Sequence, residues 1–177
     1  NLGGIGKGYA CEKVAALLAG QGVSHGLVNA GGDTRFIGDN RGQPWVVGIQ
    51  DPDNDQRWVT RLVASDEAVS TAGDYERYFD EDGVRYHHII NPRTGDSARG
   101  VRSVTVVGPD ATLTDGLDNA VFVLGPEEGL ALIDATPGYA AVLIDDQRRV
   151  FLSRGLQGEH VQGKQGQPPA PPAPSAP

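Results

Sequence analysis

Four short stretches of this sequence combine residue types and spacings that could do chemistry. In TDGLDNA, Thr114 to Ala120, the residues Asp115, Asp118 and Asn119 stand at i, i+3 and i+4. On a helix that spacing stacks three oxygen-bearing side chains on one face. A hard cation such as Mg²⁺ takes one or two carboxylates together with substrate phosphates, so the face is a candidate metal site. The spacing alone leaves open a plainer role, because acidic residues in a first helical turn also complement the helix dipole. In YHHIINPRTG, Tyr86 to Gly95, paired histidines sit on a strand that runs into a Pro-containing turn. Neighbouring strand residues face opposite sides, so only one of His87 and His88 can point into a given site. A histidine there could act as a general base near neutral pH, or simply be a hydrogen-bonded structural residue. His25 and His160 add no zinc-like ligand spacing.

The opening NLGGIGKG places glycines at 4, 6 and 8 just before a helical pattern, where backbone N–H groups and the positive dipole end attract phosphate. It does not fit the Walker pattern, because Gly8 follows Lys7 where Ser or Thr is required, and it does not fit GxGxxG. A flexible start to a helix is the plainer reading. The fourth stretch, STAGDYERYF from Ser70 to Phe79, could shape a ligand wall, or pack Tyr78 and Phe79 into a core.

The elements that must position these residues read as a mixed α+β order. Tyr9 to Leu18 has apolar residues at helical spacing, with Gly20 and Gly22 as stop signals. Strand patterns follow at Gly26 to Asn29, Trp45 to Ile49, Arg57 to Val63, Val84 to Ile90 and Val101 to Val107. Thr114 is the expected cap of a helix through Leu124 that stops at Gly125, and Pro126 opens a second helix through Ile133 to Gly138. A hairpin of Tyr139 to Ile144 and Arg149 to Ser153 closes the pattern.

Composition narrows the function. The 177 residues are 38% hydrophobic and 21% charged, enough for one domain with a substantial core. A net charge of −8 without a Lys/Arg cluster argues against nucleic acid as a partner. Cys11 is a lone cysteine, so no disulfide framework or cysteine metal site is expected. No apolar run approaches the roughly 20 residues that span a bilayer. Residues 1–162 read as the domain, and 163–177, rich in Pro, Ala and Gln, as a disordered tail. Asn1, in place of Met at the edge of the glycine motif, is read as the product of removal of a preceding segment, whether signal, lipid anchor or larger piece.

Taken in order, NLGGIGKGYA, LVNAGGD (Leu27 to Asp33), WVVGIQDP, STAGDYERYF, RYHHIINPRTG, SVTVVGPDA and TDGLDNAVFVLG closely resemble the catalytic half of the ApbE family, the FAD:protein FMN transferases. The resemblance implies a T-fold-like architecture with a mixed, largely antiparallel sheet and packed helices. It implies Mg²⁺-dependent transfer of FMN from FAD to a Ser or Thr hydroxyl of an acceptor flavoprotein, with release of AMP. By the same resemblance Asn1, Lys7 and Ile90 contact FAD, and His88 deprotonates the acceptor hydroxyl. The Gly4 carbonyl with Asp115, Asp118 and Asn119 would hold the metal. Asn1 and Asn119 depart from the family pattern, which has Asp and Thr there. A preceding half that supplies further FAD contacts has no counterpart in this sequence, so a second chain supplying it is a candidate partner. The implied acceptor is a subunit of a membrane-associated electron-transfer system. The implied location is the periplasm or the outer side of the cytoplasmic membrane. An FAD pyrophosphatase and a non-catalytic flavin-binding or assembly module are the alternatives.

Overall fold

The fold is described from a computed structural model that covers residues 2–156, so Asn1, His160 and the expected disordered tail lie outside the described residues. Its centre is a strand of mostly β-branched residues, β8 (Val101–Gly108), buried along nearly its whole length. With β1 (Gly26–Ala30), β2 (Asp33–Ile37), β5 (Ala68–Gly73), β9 (Ala140–Asp145) and β10 (Val150–Leu152) it builds a sheet in the order β1-β2-β5-β8-β9-β10. Every pairing in that sheet is antiparallel.

Strand alternation divides the core between the two faces. On one face Ala72, Val104, Val106, Ala141 and Leu143 pack against Leu117, Val121, Phe122 and Ile133 of the helix α2 (Ala111–Asp134). On the other, Phe36, Val69, Val107 and Val142 meet Ile49, Leu62 and Ala64 of the hairpin β3 (Trp45–Asp51) and β4 (Asn54–Ala64). A 3-10 turn at Arg154–Leu156 adds the buried Leu156 to this layer. A second small hairpin, β6 (Tyr78–Glu81) and β7 (Val84–His87), stands apart from the main sheet.

The expected helices form, with their ends moved. The first, α1, spans Gly6–Gly20 rather than starting at Tyr9. Its early glycines are helical because α1 lies against α2 with almost no gap. A Cβ on Gly8 would come within 2.1 Å of the Ala111 carbonyl oxygen. The cap of α2 is Asp110, whose carboxylate accepts from the Leu113 N–H at 2.8 Å. Thr114, the expected cap, is a buried residue of the first turn and donates to the Ala111 carbonyl instead. The two expected helices follow each other without a loop inside α2, separated where Gly125 takes φ 81° and Pro126 restarts the helix. It ends at Asp134, short of Gly138.

The strand expected to reach Ile90 stops at His87, and Ile90 makes only an isolated bridge to Ser97. Strands β2, β5 and β6 have no counterpart in the sequence pattern. Nor do Tyr78 and Phe79 pack in a core: they lie on β6, 47% and 60% exposed.

The Gly8 contact gives a direct test of the helix packing. Gly8→Ala forces a methyl group against backbone, so it should destabilise by about 1–3 kcal/mol, a fall of several degrees in thermal midpoint. A midpoint within about 1 °C of the parent would mean that α1 and α2 are not so tightly apposed.

Candidate functional site

The close approach of α1 to α2 brings charge together as well as backbone. The Gly8 N–H donates to Asp115 Oδ2 at 2.9 Å, tying the first turn of one helix to the carboxylate of the other. One turn further along α2, Asp118 points the same way. From the sheet comes Asp33, the first residue of β2, aimed by the Gly31-Gly32 turn whose φ values of 58° and 102° suit glycine. One carboxylate oxygen from each of Asp33, Asp115 and Asp118 lies within 4.8 Å of the others. All three residues are about 1% exposed.

Few groups offset this charge. Ser70 Oγ, on β5, lies 2.8 Å from Asp33 Oδ1 and 2.5 Å from Asp118 Oδ2. A hydroxyl has one hydrogen, so it can donate to only one of the two. Lys7 Nζ stands 3.0 Å from Asp33 Oδ2, the one ammonium set against the cluster. Asn119 gives its amide hydrogens to the Asp115 carbonyl and to Asp118 Oδ1, both at 2.8 Å, so in this arrangement it braces the cluster. Gly4 lies beside it, where a Cβ would sit 3.5 Å from Asn119 Nδ2.

Protonation follows from this crowding. Burial, reinforced by Asp33 and Asp115, pushes Asp118 well above the usual carboxylate range, against the Ser70 hydrogen bond. Burial also raises Asp115, opposed by the Gly8 N–H. For Lys7, burial acts to lower the pKa, but the contact with Asp33 and the fields of Asp115 and Asp118 outweigh it and hold the ammonium above its ordinary value.

Asp115 and Asp118 of the cluster line a cavity of about 770 Å³, a size suited to a cofactor-scale ligand. Gly4, Lys7, Asp115, Asp118, Asn119 and His88 all line it. Strand alternation separates the two histidines: His88 faces the cavity, while His87 is buried against Phe122 with Nε2 2.8 Å from the Ala98 carbonyl. Burial pushes the His87 pKa down, only partly offset by that hydrogen bond. Tyr75, from the stretch read as a ligand wall, also lines the cavity, its ring lying over Gly73. Ile90 is 48% exposed and outside the lining. Sequence reasoning did not single out Asp33 or Ser70 as members of the cluster. The only signal for Asp33 was its place at the end of the Gly-Gly-Asp turn.

Comparison with known proteins places this arrangement. The profile of the ApbE family matches residues 1–143. The FAD:protein FMN transferase of Vibrio cholerae is 40% identical over 158 residues, covering 86% of this chain and 47% of that protein. That of Treponema pallidum is 39% identical over 167 residues, covering 88% and 46%. Among solved structures, the ApbE protein of Thermotoga maritima superposes with a TM-score of 0.81 at 40% identity, covering 89% of this chain and 52% of its own. The chain therefore spans about half the length of the curated relatives it matches.

The raised carboxyls predict a pH signature. Groups with folded pKa values above their unfolded values contribute most below the unfolded carboxylate pKa, and that contribution is lost as pH rises through the folded value. In metal-free buffer the thermal midpoint of Asp118→Asn should gain on the parent as pH rises above the ordinary carboxylate range, where the parent's stability is lost. A difference between the two proteins that does not change with pH, or a variant less stable at pH 8, would contradict the crowded cluster.

Proposed function

The chain belongs to the ApbE family, and from that premise we propose that its cavity transfers FMN from FAD to a Ser or Thr hydroxyl of an acceptor flavoprotein, releasing AMP. The observation that carries this reading is that Asp115 and Asp118, clustered with the buried Asp33, line one cavity with His88.

The donor set fits Mg²⁺. It consists of hard oxygen ligands, and its negative charges outnumber the one ammonium beside them. Asp33, Asp115 and Asp118 would hold the ion, with the Gly4 carbonyl nearby. When bound, Mg²⁺ supplies positive charge against the diphosphate of FAD.

The remaining roles fall to the chain's own groups. The N-terminal turn of α1 borders the cavity at Gly4 and Lys7, so the positive end of the helix dipole favours a phosphate there. Ser70 and Asn119 fix the Asp118 carboxylate, and Lys7 steadies Asp33. His88 takes the proton of the acceptor hydroxyl as its oxygen attacks the FMN-side phosphorus. The bond from that phosphorus to the AMP phosphate breaks, AMP leaves with the electron pair, and the flavin remains as a phosphoester. Phosphoryl transfer depends mainly on positioning and charge stabilisation, so these few groups suffice. Further FAD contacts would come from polypeptide equivalent to the other half of the relatives. The acceptor we envisage belongs to a membrane-associated electron-transfer system outside the cytoplasm.

The assay combines the chain, FAD, Mg²⁺ and an acceptor domain, read by intact mass and in-gel flavin fluorescence. One FMN should be added per acceptor, and chelation of Mg²⁺ should abolish the gain. AMP and free FMN without labelling would mean hydrolysis instead, and no product at all would leave a non-catalytic module. His88→Ala should keep FAD affinity while transfer falls by about 10²-fold or more. Unchanged transfer in that variant would remove His88 from the mechanism.

A further inference from the structure

The β6–β7 hairpin places a cation beside His88. Its register pairs Tyr78 with His87 and Phe79 with Tyr86, so the next pair outward is Arg77 with His88. The His88 N–H donates to the Arg77 carbonyl at 3.2 Å, which confirms that the pairing continues one step past the strands. Directly opposed residues of an antiparallel pair project from the same face, with Cβ atoms about 5 Å apart. Phe79 and Tyr86, two residues along on that face, are stacked at 5.1 Å, as the alternation requires. Arg77 and His88 both line the cavity.

Charge separates Arg77 from the rest of the lining. Lys7 and Arg77 are the lysine and arginine of the lining, and Lys7 is engaged by Asp33. Arg85, Arg99 and Arg102, in the same part of the fold, are each paired with a carboxylate. Arg77 has no carboxylate within ion-pair distance among the described residues. In a chain of net charge −8, a guanidinium at a ligand cavity without a carboxylate partner is suited to bind an anionic ligand. Its planar fork matches two oxygens of a phosphate.

We propose that Arg77 is a phosphate-binding residue of this cavity, holding non-bridging oxygens of the phosphoryl group that is attacked beside His88. The assignment deepens the transferase reading and rests on it for the identity of the ligand, a diphosphate ester. It makes the β6–β7 hairpin a two-residue device, in which one strand carries the base and the other carries the charge that holds the electrophile.

The test titrates wild type, Arg77→Gln and Arg77→Lys with FAD, with inorganic pyrophosphate and with riboflavin, in Mg²⁺ and by calorimetry. Thermal midpoints serve as a check on folding. Arg77→Gln should weaken FAD and pyrophosphate by about tenfold or more and leave riboflavin unchanged, with Arg77→Lys intermediate. Equal affinities for both phosphate ligands in wild type and Arg77→Gln would overturn the assignment without touching the transferase reading. So would a rise in the KM for acceptor with no change in FAD affinity, since Arg77 would then serve the acceptor. Wild type that binds pyrophosphate but not FAD, with Arg77→Gln weaker, would uphold the phosphate site and overturn the transferase reading. Wild type that binds neither would overturn both.

Discussion

Three carboxylates withdrawn from water around one point are the constraint on which the rest of this structure depends. Like charges at that distance in a poorly solvated setting repel strongly, and burial penalises each of them separately. Against them the chain sets one ammonium, one hydroxyl hydrogen and the Gly8 and Asn119 donors. A metal-free cluster settles this by keeping protons, which is why Asp115 and Asp118 are both raised. An arrangement that costs stability in the absence of a cation is the kind of local inconsistency expected at a functional site.

The cluster draws on distant parts of the chain, so the architecture is what makes it possible. Asp33 comes from β2, Ser70 from β5, Asp115 and Asp118 from α2, and the Gly8 N–H from α1. Strand alternation puts Ser70 and Ala72 on the helix side of β5 and Val69 on the side of the β3–β4 hairpin. Glycine at 8 permits the contact between helices that brings Asp115 into place, and Phe122 and Val121 anchor α2 on the sheet just beyond. Packing on one turn of α2 thus fixes the chemistry of the turn before it. The residues flanking the β6–β7 hairpin, Arg77 and His88, line the same cavity.

What the sequence made legible follows the strength of each local signal. The β-branched run of β8 and the Gly125-Pro126 break could be read directly, since each forces a backbone outcome. Helix α1 forms where expected, yet Val14, Leu17 and Leu18, whose spacing suggested it, are exposed, and it buries Gly8, Cys11 and Ala15 instead. Asp115 and Asp118 were visible because helical spacing puts them on one face. Asp33 was not visible as their partner, since its approach depends on β1 and β2 folding back beside α2. Strand β5, AVSTAG, hides because its residues are small and polar for reasons of site and packing: Ser70 touches the cluster and Gly73 lies under Tyr75. Alternation established that one histidine of the pair faces a site. Alternation alone could not say which; the resemblance pointed to His88, and the seating of His87 against Phe122 and Ala98 leaves His88 on the cavity. The expected cap of α2 lay four residues late: Asp110, the better capping residue, accepts from the Leu113 N–H, and Thr114 is buried inside the helix.

The claim that joins these observations is that the carboxylate triad holds a divalent cation against the diphosphate of a flavin nucleotide. Mn²⁺ is a paramagnetic substitute for Mg²⁺ at such a site, and its effect on phosphorus relaxation reports direct proximity. The most direct measurement is therefore ³¹P relaxation of FAD bound to the chain, with Mn²⁺ added to wild type and to Asp118→Asn. The account predicts strong broadening of both diphosphate resonances in wild type and its loss in the variant. Broadening of equal size in both proteins, or none in wild type with FAD bound, would contradict it.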